Sequence, residues 1–175
     1  MTDFALFDST CDLYDRFLDE ARTLAPSFRD FGGRKRFHGI VVTVKCFEDN
    51  SRIKELLATD GRGKVLAVDA GGSARCAVLG DMIAKDAVRN GWEGVIVHGY
   101  VRDRAALAQL DIGVKALGVT PRKSVRRGEG VAHLRISFAG AHLDEGDLLC
   151  ADEDGVIVLT REQAASLGGS VEQIS

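Results

Sequence analysis

Gly80-Asp81 and Arg102-Asp103 are the residues of this chain whose types and spacing could do chemistry together. Gly80 to Ile83 open a helix-like segment that continues from Met82 to Arg89. Backbone N–H groups at a helix start lack intrahelical acceptors and carry the positive end of the helix dipole. Gly80, Asp81, Met82 and Ile83 can therefore grip a small anion. Gly80 lets the backbone come close. Arg102 adds a planar, permanently charged fork suited to a carboxylate or an enolate oxygen. Asp103 beside it offers hard oxygen to a divalent metal, and Asp81 can hold or deprotonate a water or hydroxyl. Such a set suits a 2-oxo acid, held by its carboxylate while a metal polarises its carbonyl. Singly, each residue has a plainer explanation: Asp81 as a helix cap, Arg102-Asp103 as a surface ion pair worth at most about 1 kcal/mol. Together at one sheet edge they favour a site.

The elements that must bring them together are a strand, a loop, a helix and a second strand. Val65 to Asp69 is an apolar run, Gly71-Gly72-Ser73 a glycine-rich loop, and Gly94 to Val97 a second apolar run after the turn at Asn90-Gly91. This order predicts a βαβ unit, whose parallel strands end at the same sheet edge. Gly71 to Asp81 and Gly99 to Asp103 should meet there. The glycine loop lacks the spacing of either nucleotide-binding signature.

Asp81, twenty intervening residues and Arg102-Asp103 resemble the signature of the metal-dependent 4-hydroxy-4-methyl-2-oxoglutarate aldolases. TVKCFEDN (Thr43 to Asn50), GRGKVLAVDAGGS (Gly61 to Ser73), NGWEGVIVHGYVRD (Asn90 to Asp103) and LDIGVKALG (Leu110 to Gly118) are similar to the related regulators of ribonuclease E activity. The resemblance to this RraA-like family runs from about Thr10 to about Leu159. It implies an α/β fold, a swivelling β/β/α domain, assembled as a homotrimer or a dimer of trimers with the site near a subunit boundary. It also implies a divalent-metal-dependent lyase that releases pyruvate from 4-hydroxy-4-methyl-2-oxoglutarate and decarboxylates oxaloacetate. In that reading Asp103 holds Mg²⁺ or Mn²⁺, Asp81 and Arg102 are catalytic, and Gly80, Asp81, Met82, Ile83 and Arg102 bind substrate. The alternative within the family is a non-catalytic regulator that binds and inhibits ribonuclease E. Regulators of that kind typically lack the acids that this chain has at Asp81 and Asp103. The aldolases often carry a further acid soon after the Arg-Asp pair, whereas here none follows before Asp111.

Bulk properties exclude several other classes. The chain is 45% hydrophobic with a formal net charge of -3, which argues against a dedicated nucleic-acid binder or a disordered tail. A chain of 175 residues buries roughly 70% of its unfolded surface without staples. No internal repeat or linker divides it, so residues 1–175 read as one domain. No apolar run approaches a membrane span, and the N-terminus has early acids and no basic region before an apolar stretch, which predicts a cytoplasmic protein. Cys11, Cys46, Cys76 and Cys150 are scattered, predicting reduced and mostly buried thiols rather than a metal or redox motif. His98 is expected to be packed.

Elsewhere the patterning predicts a helix over Thr10 to Ala21 capped by Thr10, a strand His38 to Lys45, and a helix Arg52 to Ala58 capped by Glu48-Asp49-Asn50. A strand Lys64 to Asp69, a helix Arg104 to Leu110 and a strand Val114 to Val119 follow. The basic run Arg122 to Arg127 reads as a solvated loop. Val131 to Phe138 and Gly155 to Thr160 read as strands on either side of an acidic loop, Asp144 to Asp154, and Arg161 to Leu167 as a last helix before a polar tail.

Overall fold

Alternation along Val65, Leu66, Ala67 and Val68 sends side chains to opposite faces of a sheet, and all four are buried. Both faces are therefore covered, which is why these strands read as near-continuous apolar runs. The computed structural model describes residues 9–168. Its strands are β1 (Arg22–Thr23), β2 (Arg29–Asp30), β3 (Phe37–Lys45), β4 (Lys64–Asp69), β5 (Ala77–Leu79), β6 (Gly94–Val101) and β7 (Gly113–Val119). They continue as β8 (Val131–Ala132), β9 (Ile136–Phe138), β10 (Ala141–Leu143), β11 (Leu148–Ala151) and β12 (Val156–Leu159). The helices are α1 (Thr10–Phe17), α2 (Ser51–Leu57), α3 (Asp81–Arg89), α4 (Arg104–Leu107) and α5 (Arg161–Ala165).

One ten-stranded sheet runs β1-β12-β11-β3-β4-β6-β7-β2, with β5 added to β6 and β8 added to β3. Its centre, β3-β4-β6-β7, is parallel, and antiparallel strands extend it on both sides. Ile53 and Leu57 of α2, Ile83 and Ala87 of α3 and Leu107 of α4 pack on Leu66, Val68, Val95 and Val97 of one face. The other face, through Val65, Ala67 and Ile96, packs on Ile136, Phe138 and Leu143 of the β9–β10 hairpin. The layers are hairpin, sheet and helices, the β/β/α arrangement expected. A third cluster joins Leu13 of α1 and Ala164 of α5 to Leu148, Cys150, Ile157 and Leu159 of β11 and β12.

Several local expectations change. The first helix ends at Phe17 and a 3₁₀ turn follows; its N-cap is Ser9, which accepts the Asp12 N–H. Thr10 is used elsewhere, donating its N–H and hydroxyl to Asp152, each at 2.7 Å. The strand expected over Val131 to Phe138 breaks where His133 takes φ +61°, giving β8 on β3 and β9 in the hairpin. The acidic loop contains β11, which pairs with both β3 and β12. Leu148 to Ala151 is too short and too closely flanked by acids to stand out as a periodic pattern. The helix expected over Arg104 to Leu110 is α only to Leu107, and the strand from Gly94 continues to Val101. The last helix carries a Thr160/Gln163 capping box; the polar tail lies outside the described residues. Among those residues no helix is long and apolar enough to cross a membrane.

Candidate functional site

Two strands share one flank of β6. β4 pairs with it from Val65↔Gly94 to Asp69↔His98. The chain then loops through Gly71 and Gly72 and returns as β5, which pairs Ala77↔Tyr100 and Leu79↔Val101 in parallel. The Arg102 N–H donates to the Leu79 carbonyl at 2.9 Å. Gly80-Asp81 and Arg102-Asp103 therefore leave neighbouring strands side by side. The convergence is the one expected, but β5, a strand absent from the sequence reading, achieves it rather than β4.

Asp103 has left-handed backbone (φ 59°, ψ 41°) just before α4, a conformation uncommon outside glycine and enriched at functional sites. Its Oδ2 accepts the Asp81 N–H at 3.2 Å and lies 3.5 Å from the Arg102 Nε. Gly80, the N-cap of α3, has no side chain to cap the helix, so Asp103 takes the first N–H from across the strand gap. The N–H groups of Met82 and Ile83 have no backbone carbonyl acceptor within the helix. Ile83 turns its side chain into the core while that of Met82 is exposed, so Ile83 can serve an anion only through its backbone.

Asp81 is the first residue of α3, not its cap. The Lys85 Nζ lies 2.7 Å from its Oδ2, and that hydrogen bond holds the Asp81 carboxyl below the ordinary aspartate value, aided by the Asp103 side chain and the Met82 N–H. Asp81 is thus an anion at neutral pH.

All six residues singled out in the sequence, Gly80, Asp81, Met82, Ile83, Arg102 and Asp103, line one open cavity of about 230 Å³. Asn50, Lys123 and Arg126 line it too, and sequence reasoning missed them. The segment Arg122 to Arg127 is exposed except at Ser124, as a solvated loop should be, but its backbone is paired. Ala77 donates to the Arg122 carbonyl (2.7 Å), Ser124 to the Ala77 carbonyl (3.0 Å) and Asn50 to the Val125 carbonyl (3.3 Å). Backbone pairing thus lays the basic run along β5 and the start of α2. Its only sequence signal is the four cations Arg122, Lys123, Arg126 and Arg127 between Pro121 and Gly128.

Glu48-Asp49-Asn50 caps α2 in part. Asp49 Oδ1 accepts the Ser51 N–H at 2.8 Å, while its Oδ2 accepts the Arg127 N–H at 2.6 Å. Glu48 instead accepts from Ser73 and Arg75, both at 2.6 Å. A larger cavity of about 430 Å³ on that side is lined by Phe47, Glu48, Arg75, Arg122 and Arg127, but none of Gly80, Asp81, Arg102 and Asp103 lines it.

The donor chemistry limits the metal. Asp81 and Asp103 are adjacent hard-oxygen donors, and among the described residues no group of three or more His, Cys, Asp or Glu side chains is placed to hold an ion. A fully protein-ligated zinc site does not fit. An ion that keeps several waters and takes one or two carboxylates plus substrate does fit, as Mg²⁺ and Mn²⁺ do. His98 is packed as expected, stacked on Phe138 at 5.1 Å between centroids. The cysteines are free, three of them buried, and burial pushes the Cys46 and Cys150 thiols up to about 12.

Known proteins resemble this chain along most of its length. The family described as Aldolase/RraA matches residues 10–158. A protein of Alkalilimnicola ehrlichii named "Putative 4-hydroxy-4-methyl-2-oxoglutarate aldolase" is 57% identical over 149 residues, 85% of this chain and 92% of its own. The structure of the RNA-processing inhibitor RraA from Thermus thermophilis superposes with a TM-score of 0.84 at 43% identity, covering 87% of this chain and 93% of that one. A Geobacillus kaustophilus structure described as an S-adenosylmethionine: 2-dimethylmenaquinone methyltransferase gives 0.87 at 41% identity, covering 90% and 98%.

Proposed function

The chain belongs to the Aldolase/RraA family, and from that premise we propose that it is a divalent-metal-dependent lyase. It cleaves 4-hydroxy-4-methyl-2-oxoglutarate to pyruvate and decarboxylates oxaloacetate at the same site. The observation that carries this reading is the meeting of Asp81, Arg102 and Asp103 with the start of α3 in one cavity. The relatives named for aldolase activity support it.

In this reading the Arg102 fork and the Met82 and Ile83 N–H groups bind the carboxylate next to the 2-oxo group. Asp103, with Asp81 in support, would hold Mg²⁺ or Mn²⁺, and such an ion would supply Lewis acidity to the 2-oxo group. Arg102 stabilises the negative charge that develops as the C–C bond breaks. Asp81, kept ionised by Lys85, orients a water that takes the proton of the substrate's C4 hydroxyl. Oxaloacetate loses CO₂ and leaves the same pyruvate enolate, with no hydroxyl proton to remove.

The test is pyruvate release from both substrates with Mg²⁺ and with EDTA, coupled to lactate dehydrogenase, for wild type and Asp103→Ala. Metal-dependent release that disappears in the variant supports the lyase. Release no faster than the metal-only blank sinks it.

The 43% identity to an RNA-processing inhibitor favours a second reading, a non-catalytic regulator that binds and inhibits ribonuclease E. Capture of a ribonuclease E scaffold region by both wild type and Asp103→Ala would support it.

A further inference from the structure

We propose that Asp49, which does not itself line the cavity, is a positioning residue that clamps residues 121–130 against the start of α2. This segment carries one wall of the cavity, and it opens as a unit when the clamp lets go while the rest of the fold stays closed. What the clamp does to turnover rests on the lyase reading; that the segment opens does not.

The first observation is how little else holds the segment. None of residues 121–130 belongs to any of the three core clusters, and within 121–129 only Ser124 is not exposed. Val125, its one branched apolar side chain, is 44% exposed. Hydrogen bonds do the fastening. On β5 the Ala77 N–H donates to the Arg122 carbonyl and the Ser124 N–H to the Ala77 carbonyl. At α2 the Val125 N–H donates to the Glu48 carbonyl at 3.2 Å, and the Gly128 N–H to the Ser51 Oγ at 3.0 Å. A stretch with few buried apolar contacts and backbone hydrogen bonds close to solvent opens at a lower free energy than the whole fold.

The second observation is that one attachment differs in kind. Asp49 is 0% exposed; its Oδ2 accepts the Arg127 N–H at 2.6 Å and its Oδ1 the Ser51 N–H at 2.8 Å. Burial pushes its carboxyl up, but hydrogen bonds from Ser51, Arg127 and Glu129 outweigh burial and hold it below the ordinary aspartate value. An ionised acceptor makes a stronger hydrogen bond than a neutral one. Opening the segment also strips this buried carboxylate of the Arg127 and Glu129 donors, a cost that the neutral attachments do not carry.

The clamp reaches the site through the segment. Asn50, next to Asp49, accepts the Arg126 Nε at 3.1 Å, and Lys123 and Arg126 line the cavity with Asp81, Arg102 and Asp103. Asp49 therefore decides whether that wall is in place when an anionic substrate arrives.

The experiment is brief digestion of the native protein with trypsin, which cuts after lysine and arginine, with fragments assigned by mass spectrometry. The first cuts are expected after Arg122, Lys123, Arg126 or Arg127. Asp49→Asn keeps the shape but sets an amide N–H against a backbone N–H. It should speed those cuts about 10–100-fold and raise KM for 4-hydroxy-4-methyl-2-oxoglutarate more than it lowers kcat. Asp152→Ala, which weakens the fold at the β11–β12 turn, should leave those cuts at the wild-type rate. First cuts elsewhere, or equal acceleration by Asp49→Asn and Asp152→Ala, overturn the proposal. So does an unchanged KM in an Asp49→Asn protein that releases pyruvate. Faster cuts in a protein that releases no pyruvate sink the lyase reading and leave the clamp standing. Should Asp49→Asn not fold, Ser51→Ala, which removes the acceptor of the Gly128 N–H, must speed the same cuts or the proposal fails.

Discussion

The Asp103 Oδ2 accepts the Asp81 N–H at 3.2 Å and so ties the start of α3 to the end of β6. Gly80 lies between them with no room for a side chain: a Cβ there would sit 2.8 Å from that Oδ2 and 3.0 Å from the Arg102 Cγ. Its own backbone is ordinary extended chain (φ -135°), so alanine meets crowding rather than strain. Gly80→Ala should lower pyruvate release about 100-fold by displacing both side chains. It should change stability by less than about 1 kcal/mol, because those side chains are half-exposed and can move. Steady-state rates beside a thermal melt check both halves; a variant with normal turnover would contradict the assignment.

The two lyase reactions differ in their need for a proton acceptor. Asp81→Asn should therefore slow aldol cleavage on the order of 10²–10⁴-fold and reduce oxaloacetate decarboxylation far less. Arg102→Ala, which removes stabilisation common to both, should slow each by about 10²–10³-fold. Equal losses in both reactions for Asp81→Asn would remove Asp81 from proton handling and leave it a place in ion binding.

Lys85 sets the protonation of Asp81. Its hydrogen bond holds the Asp81 carboxyl below the ordinary value, so cleavage needing the carboxylate persists into acid. Removing the ammonium lets the folded pKa rise. Lys85→Met should move the acidic limb of the kcat/KM profile for cleavage to higher pH. The limb for decarboxylation should move less.

Asp152 is fully buried and joins α1 to the β11–β12 turn. Burial pushes its carboxyl up, but hydrogen bonds from Thr10, Asp154 and Gly155 outweigh burial and hold it below 3.8. With the folded value depressed, this stability is fully present above the unfolded value and lost as pH falls through the folded one. Asp152→Ala should cost about 3 kcal/mol near neutrality by orphaning those donors, a fall in Tm of roughly 6–12 °C. The gap between wild type and variant should close as pH is lowered below about 4, which denaturant midpoints at several pH values would reveal.

Much of this molecule was readable from residue order. Parallel strands buried on both faces require runs such as Val65-Leu66-Ala67-Val68, and those runs marked the centre of the sheet. The meeting of Gly80-Asp81 with Arg102-Asp103 was readable as well, because each pair follows a strand that ends at the same sheet edge. The short strands were not. β5, β8 and β11 have two to four residues each, and they are strands only because distant backbone offers them N–H and carbonyl partners.

The same reason governs the site. Local periodicity encodes which side chains are buried, so one edge of the sheet with its acids and its arginine follows from the order of residues. Backbone pairing between irregular segments leaves no periodic trace. That Lys123 and Arg126 line the same cavity as Arg102 depends on hydrogen bonds from Ala77, Ser124 and Asn50 and on the buried carboxylate of Asp49. A run of cations that reads as a solvated loop, and is exposed, also lines the cavity because backbone pairing in the folded chain, not the charge pattern, chooses what lies beside it.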